Sequence, residues 1–534
     1  MYIRLRQNPS GTKTVYLVDS YRAPGKKHAT YKAVRCFGSS ADEEQLRLWV
    51  AEAEKLKDQL VSQKISSSKF IKVEQPKDIT SAEVDDIGVS YVYNNLFDKY
   101  FSGIRLKSNS KKTFSDLVTM RLVEPVSKLK TAAISSSYGI DGLSVNKIYK
   151  LMDELDDKKI ELIKKQVFKN TKKLLGGSNQ IKVMFYDLTT IYFEANSQTE
   201  LKEFGYSKDG KSQHVQISLA MIVTDCGLPI SYEIFKGNTF EGNTLIPTLI
   251  KLREQYKISN VTIVADSAML SAANIKSLKE NNFKYIIAAR IRNLKEYITK
   301  EIISKDGYNL LSSNNEDSFS YKEIDYGNET LIACYSDKRR RKDEYERQKI
   351  IARINEHIKK SPKSNLAKPL RRSYVDIIGK EGEVAINKDK LEESKQLDGY
   401  FGYISNCKLT PLEIIGQYRG LWQVEQTFRI TKNNLKIRPV FHFVDRRIKA
   451  HFAICFMALS MARVAEYKLK KAGINLPLEQ LHTMLNKIKQ IKLTVGDNQC
   501  NILTNLPENA SQVFTALDIN LPSLYSVVNK LTIA

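Results

Sequence analysis

The sequence predicts a mixed α/β core carrying a β-containing insertion, with a small α+β region and a helical region before it and further helices after it. Three observations carry that prediction. Between residues 181 and 290, apolar runs of strand length alternate with helical periodicity, the pattern of a mixed sheet. Residues 84–175 show helical spacing throughout. A polar, basic stretch then interrupts the α/β pattern, which resumes near residue 399. A chain of 534 residues is long enough for several domains, and 42% apolar residues suffice for real cores. The boundaries read as 1–80, a small α+β domain and linker; 81–178, a helical domain; 179–290, the first part of the core; 291–398, a β-rich basic insertion; 399–460, the second part of the core; and 461–534, a C-terminal helical region.

Each element has a local reason. Thr14–Ser20 and Thr30–Phe37 are rich in Val, Tyr and Thr, with the turn-prone Ala23-Pro24-Gly25 between them. Ala41–Gln63 places Leu46, Trp49, Val50, Ala53 and Leu56 at helical spacing. Residues 64–81 are polar and read as a linker. Helices are expected at Thr113–Val123, Val126–Ser135 and Ser144–Leu155, the last with Ser144 as N-cap. This trio is compatible with a helix-turn-helix DNA reader using Ser144–Leu155, or with any small helical domain. Ile181–Glu194 alternates like a strand. Gln216–Val223 and Pro229–Phe235 flank a turn and read as a hairpin. A helix at Asn243–Tyr256, a buried strand at Val261–Ala265, a helix from Ser271 and a strand at Tyr285–Ala289 follow. In the insertion, Phe319–Ile324 and Glu329–Tyr335 look like strands and Lys338–Lys360 is a very basic helix. The core resumes with the strand Tyr400–Ser405 and one long helix, Pro411–Leu435. Helices are expected from Arg446 to the end, with an oligomerisation role among their possible uses.

The charge narrows the function classes. The chain holds 84 basic and 60 acidic residues, a net +24, which points to a polyanion such as nucleic acid. A lysine-rich composition is the plain alternative, but the excess is localised. Residues 338–372 hold 14 basic and 4 acidic side chains, residues 103–150 hold 9 and 3, and residues 427–450 hold 7 and 1. The six cysteines are scattered without CxxC spacing, so neither a zinc ribbon nor a disulfide framework is indicated, and a reducing cytoplasm fits. Met1–Arg6 lacks the apolar run of a secretory signal. The longest apolar stretch, near Ala453–Ala462, is too short to span a bilayer, so no membrane partner is expected.

Three carboxylates stand in apolar surroundings. Asp187 shares a strand face with Val183, Phe185, Ile191 and Phe193, where an uncompensated charge would be costly. Asp266 ends the apolar run Val261–Ala265, at the strand end where open α/β sheets bind ligands. On a continuous helix, Glu425 falls within about 20° of Tyr418, and Lys432 about 20° further round, on the side of Leu421, Trp422 and Phe428. The plain alternatives are a structural Asp, a helix-capping Asp and a buried Glu–Lys pair. Taken together, two Asp and one Glu form a hard-oxygen set suited to Mg²⁺ or Mn²⁺, and two such ions can serve phosphoryl transfer.

At these residues the sequence resembles the DDE insertion-sequence transposases, which have an RNase H-like catalytic core. It is most similar to the subfamily with a β-rich insertion before the catalytic Glu and a "YREK" signature. That signature runs Tyr, two residues, Arg, three residues, Glu, six residues, Lys. Tyr418, Glu425 and Lys432 match it, while Leu421 stands at the Arg position, near Arg419 and Arg429. The resemblance covers roughly residues 181–460. It includes Tyr186–Thr190, Gln216–Thr239, Val264–Ser267, the Glu425 helix, Arg438–His442 and His451.

The resemblance implies that Asp187, Asp266 and Glu425 are catalytic and hold two metal ions, Mg²⁺ or Mn²⁺. It implies binding of double-stranded DNA at element ends and target, cleavage to a 3′-OH, and joining by a transesterification that needs no ATP or other nucleotide cofactor. Tyr418 and Lys432 would contact phosphates, with Arg419, Arg429 and Lys436 as further DNA contacts. Relatives cut the second strand through a DNA hairpin. Arg339, Arg340 and Arg341, on the insertion helix, would track the DNA backbone. Trp422 would stack on a displaced base, although core packing is the plainer role for it. A homodimer in a synaptic complex and a cytoplasmic, nucleoid-associated, prokaryotic-type setting are implied. An RNase H-like nuclease that cuts without joining, and a domesticated DNA-binding protein, are the alternatives.

Overall fold

The computed structural model describes residues 1–21, 30–66, 79–177, 181–194, 197–207, 210–211, 213–258, 261–266, 271–314, 317–360, 374–378, 383–438, 440–495 and 498–529. The chain forms two compact units. One gathers residues 1–92, 134–142 and 476–534; the other holds 93–133 and 143–475.

The first unit opens with an antiparallel meander of β1 (Tyr2–Gln7), β2 (Lys13–Tyr21) and β3 (Thr30–Ser40). The helix Glu43–Ser66 packs Leu46, Trp49 and Ala53 against it around Val15. The expected linker ends in a strand, β4 (Ile79–Asp85).

The second unit is built on one nine-stranded sheet. β5 (Val183–Tyr192), β6 (Gln216–Thr224) and β7 (Pro229–Lys236) run antiparallel. β8 (Thr262–Ala265) and β9 (Lys284–Ala288) add on the other side of β5, parallel to it. The resulting order β7-β6-β5-β8-β9 is the RNase H-like core. The insertion supplies β10 (Asn309–Asn314), β11 (Asp317–Tyr326) and β12 (Glu329–Ser336), and a separate ribbon of β13 (Val375–Ile378) and β14 (Glu383–Ile386). β15 (Tyr400–Ser405) then pairs with β9 on one side and β12 on the other. The insertion therefore extends the core sheet, covering an edge of β15 that would otherwise offer unpaired backbone groups.

Both faces of this sheet are covered, so alternation does not separate inside from outside: every residue of β6 is buried. On one face Leu245, Leu249 and Leu278 of two helices meet Met184, Tyr186 and Ile263. The other face receives the helices after β15 and the long helix Asp445–Lys471. That helix is long and apolar enough to cross a membrane by length and composition, yet 94% of its apolar window is buried inside the protein. It is a core helix: the helices Ser108–Val123, Val145–Glu154 and Asp157–Leu174 pack around it. Ser144 caps the second of these, accepting from the Lys147 N–H at 3.4 Å.

The C-terminal region departs from the expected helices. After the helix Leu478–Leu485 come β16 (Gln490–Val495), β17 (Asn498–Leu503) and, beyond the helix Ala510–Leu517, β18 (Tyr525–Asn529). They form a four-stranded sheet of order β18-β17-β16-β4, tied by a Lys492–Asp85 ion pair of 2.6 Å. The partner strand β4 lies some four hundred positions upstream, so nothing local to residues 490–529 announces the pairing.

Candidate active site

Asp187 sits in the middle of β5, half-buried, opposite Met221 of β6. Its Oδ1 accepts the Leu188 N–H at 2.7 Å, which fixes the carboxylate's orientation. Along the parallel pair β5–β8, Tyr186 stands opposite Ala265. The next residues on the two strands are Asp187 and Asp266, so the register brings these carboxylates to one level of neighbouring strands, whose spacing is about 4.8 Å. Asp266 is exposed at the strand end. Ser267, next in the matched motif, lies outside the described residues.

The third carboxylate arrives from a helix that the sequence alone describes wrongly. Instead of one helix, Pro411–Leu435, the chain forms Pro411–Arg419, breaks, resumes at Trp422–Arg429 and ends in a π-helical turn, Ile430–Asn434. The first piece starts on a capping box, Thr410 with Glu413, behind Pro411. Backbone bonds of the tighter three-residue kind then carry the chain through the break: Leu421 N–H to Tyr418 O at 3.0 Å and Gln423 N–H to Gly420 O at 3.0 Å. Gly420 sits at the break and allows a close approach. A Cβ there would lie 2.5 Å from Cζ of Phe185, which is buried on the Asp187 face of β5. Only a glycine lets the helix backbone come down onto that ring.

The face expected to be buried is so only in part, Phe428 being buried and Leu421 half-buried. Val424, Thr427 and Phe428 face inward, Glu425 and Arg429 are exposed, and Trp422, expected in the core, is 51% exposed. Lys432 is half-buried within the π turn.

Tyr418 feels the charge of all three carboxylates. Its ring lies 4.4 Å from that of Tyr403 on β15. Burial pushes its hydroxyl above the usual phenol range, and Asp266, Tyr403, Glu425 and Asp187 add to the effect. All three carboxylates, from segments far apart in the chain, thus act on one phenol. They do not form a closed cage: among the described residues no three His, Cys, Asp or Glu side chains stand ready to hold a metal ion. Their donor chemistry, carboxylate oxygen only, fits a hard divalent cation.

The remaining expected contacts divide. Arg419 is exposed, with its guanidinium 4.5 Å above the Phe319 ring. Lys436 is exposed and has a left-handed backbone, φ 42°. On the basic helix Asp337–Lys360, each of the three arginines has an acidic neighbour: Arg339 with Asp343 at 3.8 Å, Arg340 with Glu344 at 3.4 Å, and Arg341 with Asp317. Much of that helix's charge is compensated within the fold.

Sequence reasoning missed the anchor of the Glu425 helix. Arg463, buried on the long apolar helix, donates through Nε to Gly227 O at 2.8 Å and through a terminal nitrogen to Gln423 Oε1 at 2.9 Å, and pairs with Glu466 at 2.8 Å. This ties the helix bearing Glu425 to the β6–β7 turn, where Gly227 has φ +79°. The one legible signal was an arginine inside the apolar run Phe452–Ala465.

Comparison with known proteins gives the family. No curated protein sequence matches the chain. Among solved structures, a piggyBac transposase in a synaptic complex with hairpin DNA has 12% identity and a TM-score of 0.36, over 80% of this chain and 79% of that one. A Mos1 transposase paired-end complex with left transposon end has 12% identity and a TM-score of 0.15, over 44% of this chain and 66% of that one. The family model for the transposase DDE domain matches residues 178–461, a span that contains Asp187, Asp266 and Glu425 and more than half of the chain. The chain therefore belongs to the DDE-domain transposase family.

Proposed function

We propose that this chain binds the ends of a mobile DNA element, cleaves them, and joins the freed 3′-OH ends to target DNA. The observation that supports this most is the transposase DDE-domain match over residues 178–461, within which the β5–β8 register sets Asp187 and Asp266 at one level. Divalent ions, two per site and Mg²⁺ or Mn²⁺ by donor type, would be held by these three carboxylates and would supply an activated oxygen nucleophile and a stabilised leaving oxygen.

The chain's own residues supply the rest. Tyr418 keeps its proton, because burial and its carboxylate neighbours oppose ionisation, so its hydroxyl is a donor for a phosphate oxygen. Lys432, one helical segment on, offers a cation to the same backbone. Trp422, half-exposed beside Glu425, offers a flat surface for a base. Leu421 brings no charge to the signature Arg position, and Arg419 is held over Phe319, so the hairpin step of relatives lacks its usual cation here. Cutting two element ends calls for two protomers, hence a dimer on paired DNA.

The test is incubation with Mg²⁺, a labelled element end and a supercoiled plasmid. Joined product is the expected result. Nicks without joining would make the chain a nuclease, and binding without cleavage a DNA-binding regulator.

A further inference from the structure

Away from the carboxylates, the second unit encloses a cavity of about 300 Å³ whose lining includes Arg121, Lys128, Tyr149, Lys436, His442 and His451, and no Asp or Glu. Arg121 and Lys128 are 7% and 5% exposed. Neither charged group has a hydrogen-bond or ion-pair partner among the described residues. Of the two carboxylates on the Tyr149 helix, Asp153 is shared by Arg446 at 3.1 Å and Arg447 at 2.7 Å, and Glu154 accepts from the Ser110 hydroxyl at 2.6 Å. Burial, and then the charge of Arg121, hold the Lys128 amine well below its usual range, so charging it beside Arg121 without a counter-ion is costly, and an anion in the cavity would remove that cost.

The walls agree. His442 meets Tyr149 edge-on at 6.5 Å and His451 at 5.4 Å. His451 Nε2 is paired with Ile437 O at 3.3 Å, and its buried Nδ1 has no partner among the described residues. Burial, then the charges of Lys128 and Arg121, hold both imidazoles below their usual range, His442 down to about 3, so they add no competing charge. The volume suits a phosphate with part of a nucleotide.

We propose that this cavity is an oxyanion site in which Arg121 and Lys128 bind a phosphate group, separate from the carboxylate site. A DNA phosphodiester is the favoured source. Two of the three basic windows, 103–150 and 427–450, meet at this cavity, and exposed Lys436 continues toward it from the Glu425 segment. A free phosphate shares the same chemistry.

The experiment uses the full chain in EDTA, so that its outcome is independent of cleavage, and compares wild type with Lys128→Met and Arg121→Met. The first readout is the thermal midpoint in inorganic phosphate against chloride at equal ionic strength. The second is the slope of log affinity against log salt for duplex DNA. Wild type should be stabilised by phosphate. The variants should lose that stabilisation while melting no lower in phosphate-free buffer, since each sheds an unpaired buried charge. A slope shallower by about 0.9 per lost contact identifies a DNA phosphodiester. An unchanged slope with lost phosphate stabilisation identifies a free phosphate. Should Arg121→Met not fold, Lys128→Met decides alone, being nearly isosteric. Phosphate stabilisation surviving in the folded variants, or its absence from wild type together with unchanged slopes, overturns the proposal.

Discussion

Replacing Gly420 with Ala tests how the site is assembled. The glycine's backbone is right-handed helical, φ −63°, so alanine is conformationally acceptable. By helix propensity alone it would stabilise by about 1 kcal/mol. Sterics oppose it: the new methyl would lie 2.5 Å from Phe185 Cζ, where ordinary contact needs about 3.5 Å. Phe185 is 1% exposed, so its ring has nowhere to swing. Overpacking of this kind costs about 1–3 kcal/mol, so the net change in stability should be small, about 0–2 kcal/mol. Activity should suffer far more. The least costly relaxation lifts the helix by about 1 Å, carrying Glu425 away from Asp187, and a 1 Å misplacement costs roughly 100-fold in rate. The assay pairs a urea melt with metal-dependent cleavage of a labelled DNA end. Phe185→Leu, which removes Cζ, should restore much of the rate in the Gly420→Ala background, giving a coupling of about 0.5–3 kcal/mol. Wild-type cleavage in Gly420→Ala, or no coupling to Phe185, would refute the close approach as the device that seats Glu425.

Asp187→Ala, Asp266→Ala and Glu425→Ala should each abolish cleavage and leave duplex binding within a few-fold in a mobility-shift titration; an active variant would remove its residue from the site. Arg463→Met breaks a buried pair and frees the Gly227 carbonyl, so it should lower stability by about 3–5 kcal/mol and cleavage with it; a urea midpoint shift below about 0.5 kcal/mol would show the anchor to be dispensable. Acid should destabilise the fold from a known pH downward. Burial lowers His482 from 6.5 to about 4 and His442 to about 3, so below about pH 6.5 the unfolded chain takes up protons that the folded chain refuses. His482→Gln should recover on the order of 3 kcal/mol of the loss between pH 6.5 and 4, and thermal melts across that range that match wild type would exclude this account.

Much of the fold is legible from local pattern because local physics forms it. The alternating run at 183–192 and the largely apolar runs at 216–224 and 262–265 become the central strands, whose residues are mostly buried because both faces of the sheet are covered. Ser144 and Ser271 cap the helices they precede, because a side-chain oxygen before an apolar periodic run meets a free N–H. The carboxylates Asp187, Asp266 and Glu425 were picked out by their apolar settings and by motif spacing.

What the sequence by itself determined, then, is the mixed α/β class and the order of the core strands from 183 to 288, which depend on neighbours a few positions apart. Tertiary structure decided the rest. The helix breaks at Gly420, where its backbone meets the Phe185 ring, over two hundred positions earlier, a contact that no local periodicity announces. Trp422, just after the break, is exposed. β16 is a strand because β4 is there to pair with it. Whether a basic residue is compensated also depends on who folds against it: Arg339, Arg340 and Arg341 find acidic neighbours, and Arg121 and Lys128 find none among the described residues. Charge can be counted along a chain, but its counter-charge is set by contacts between segments that only folding brings together.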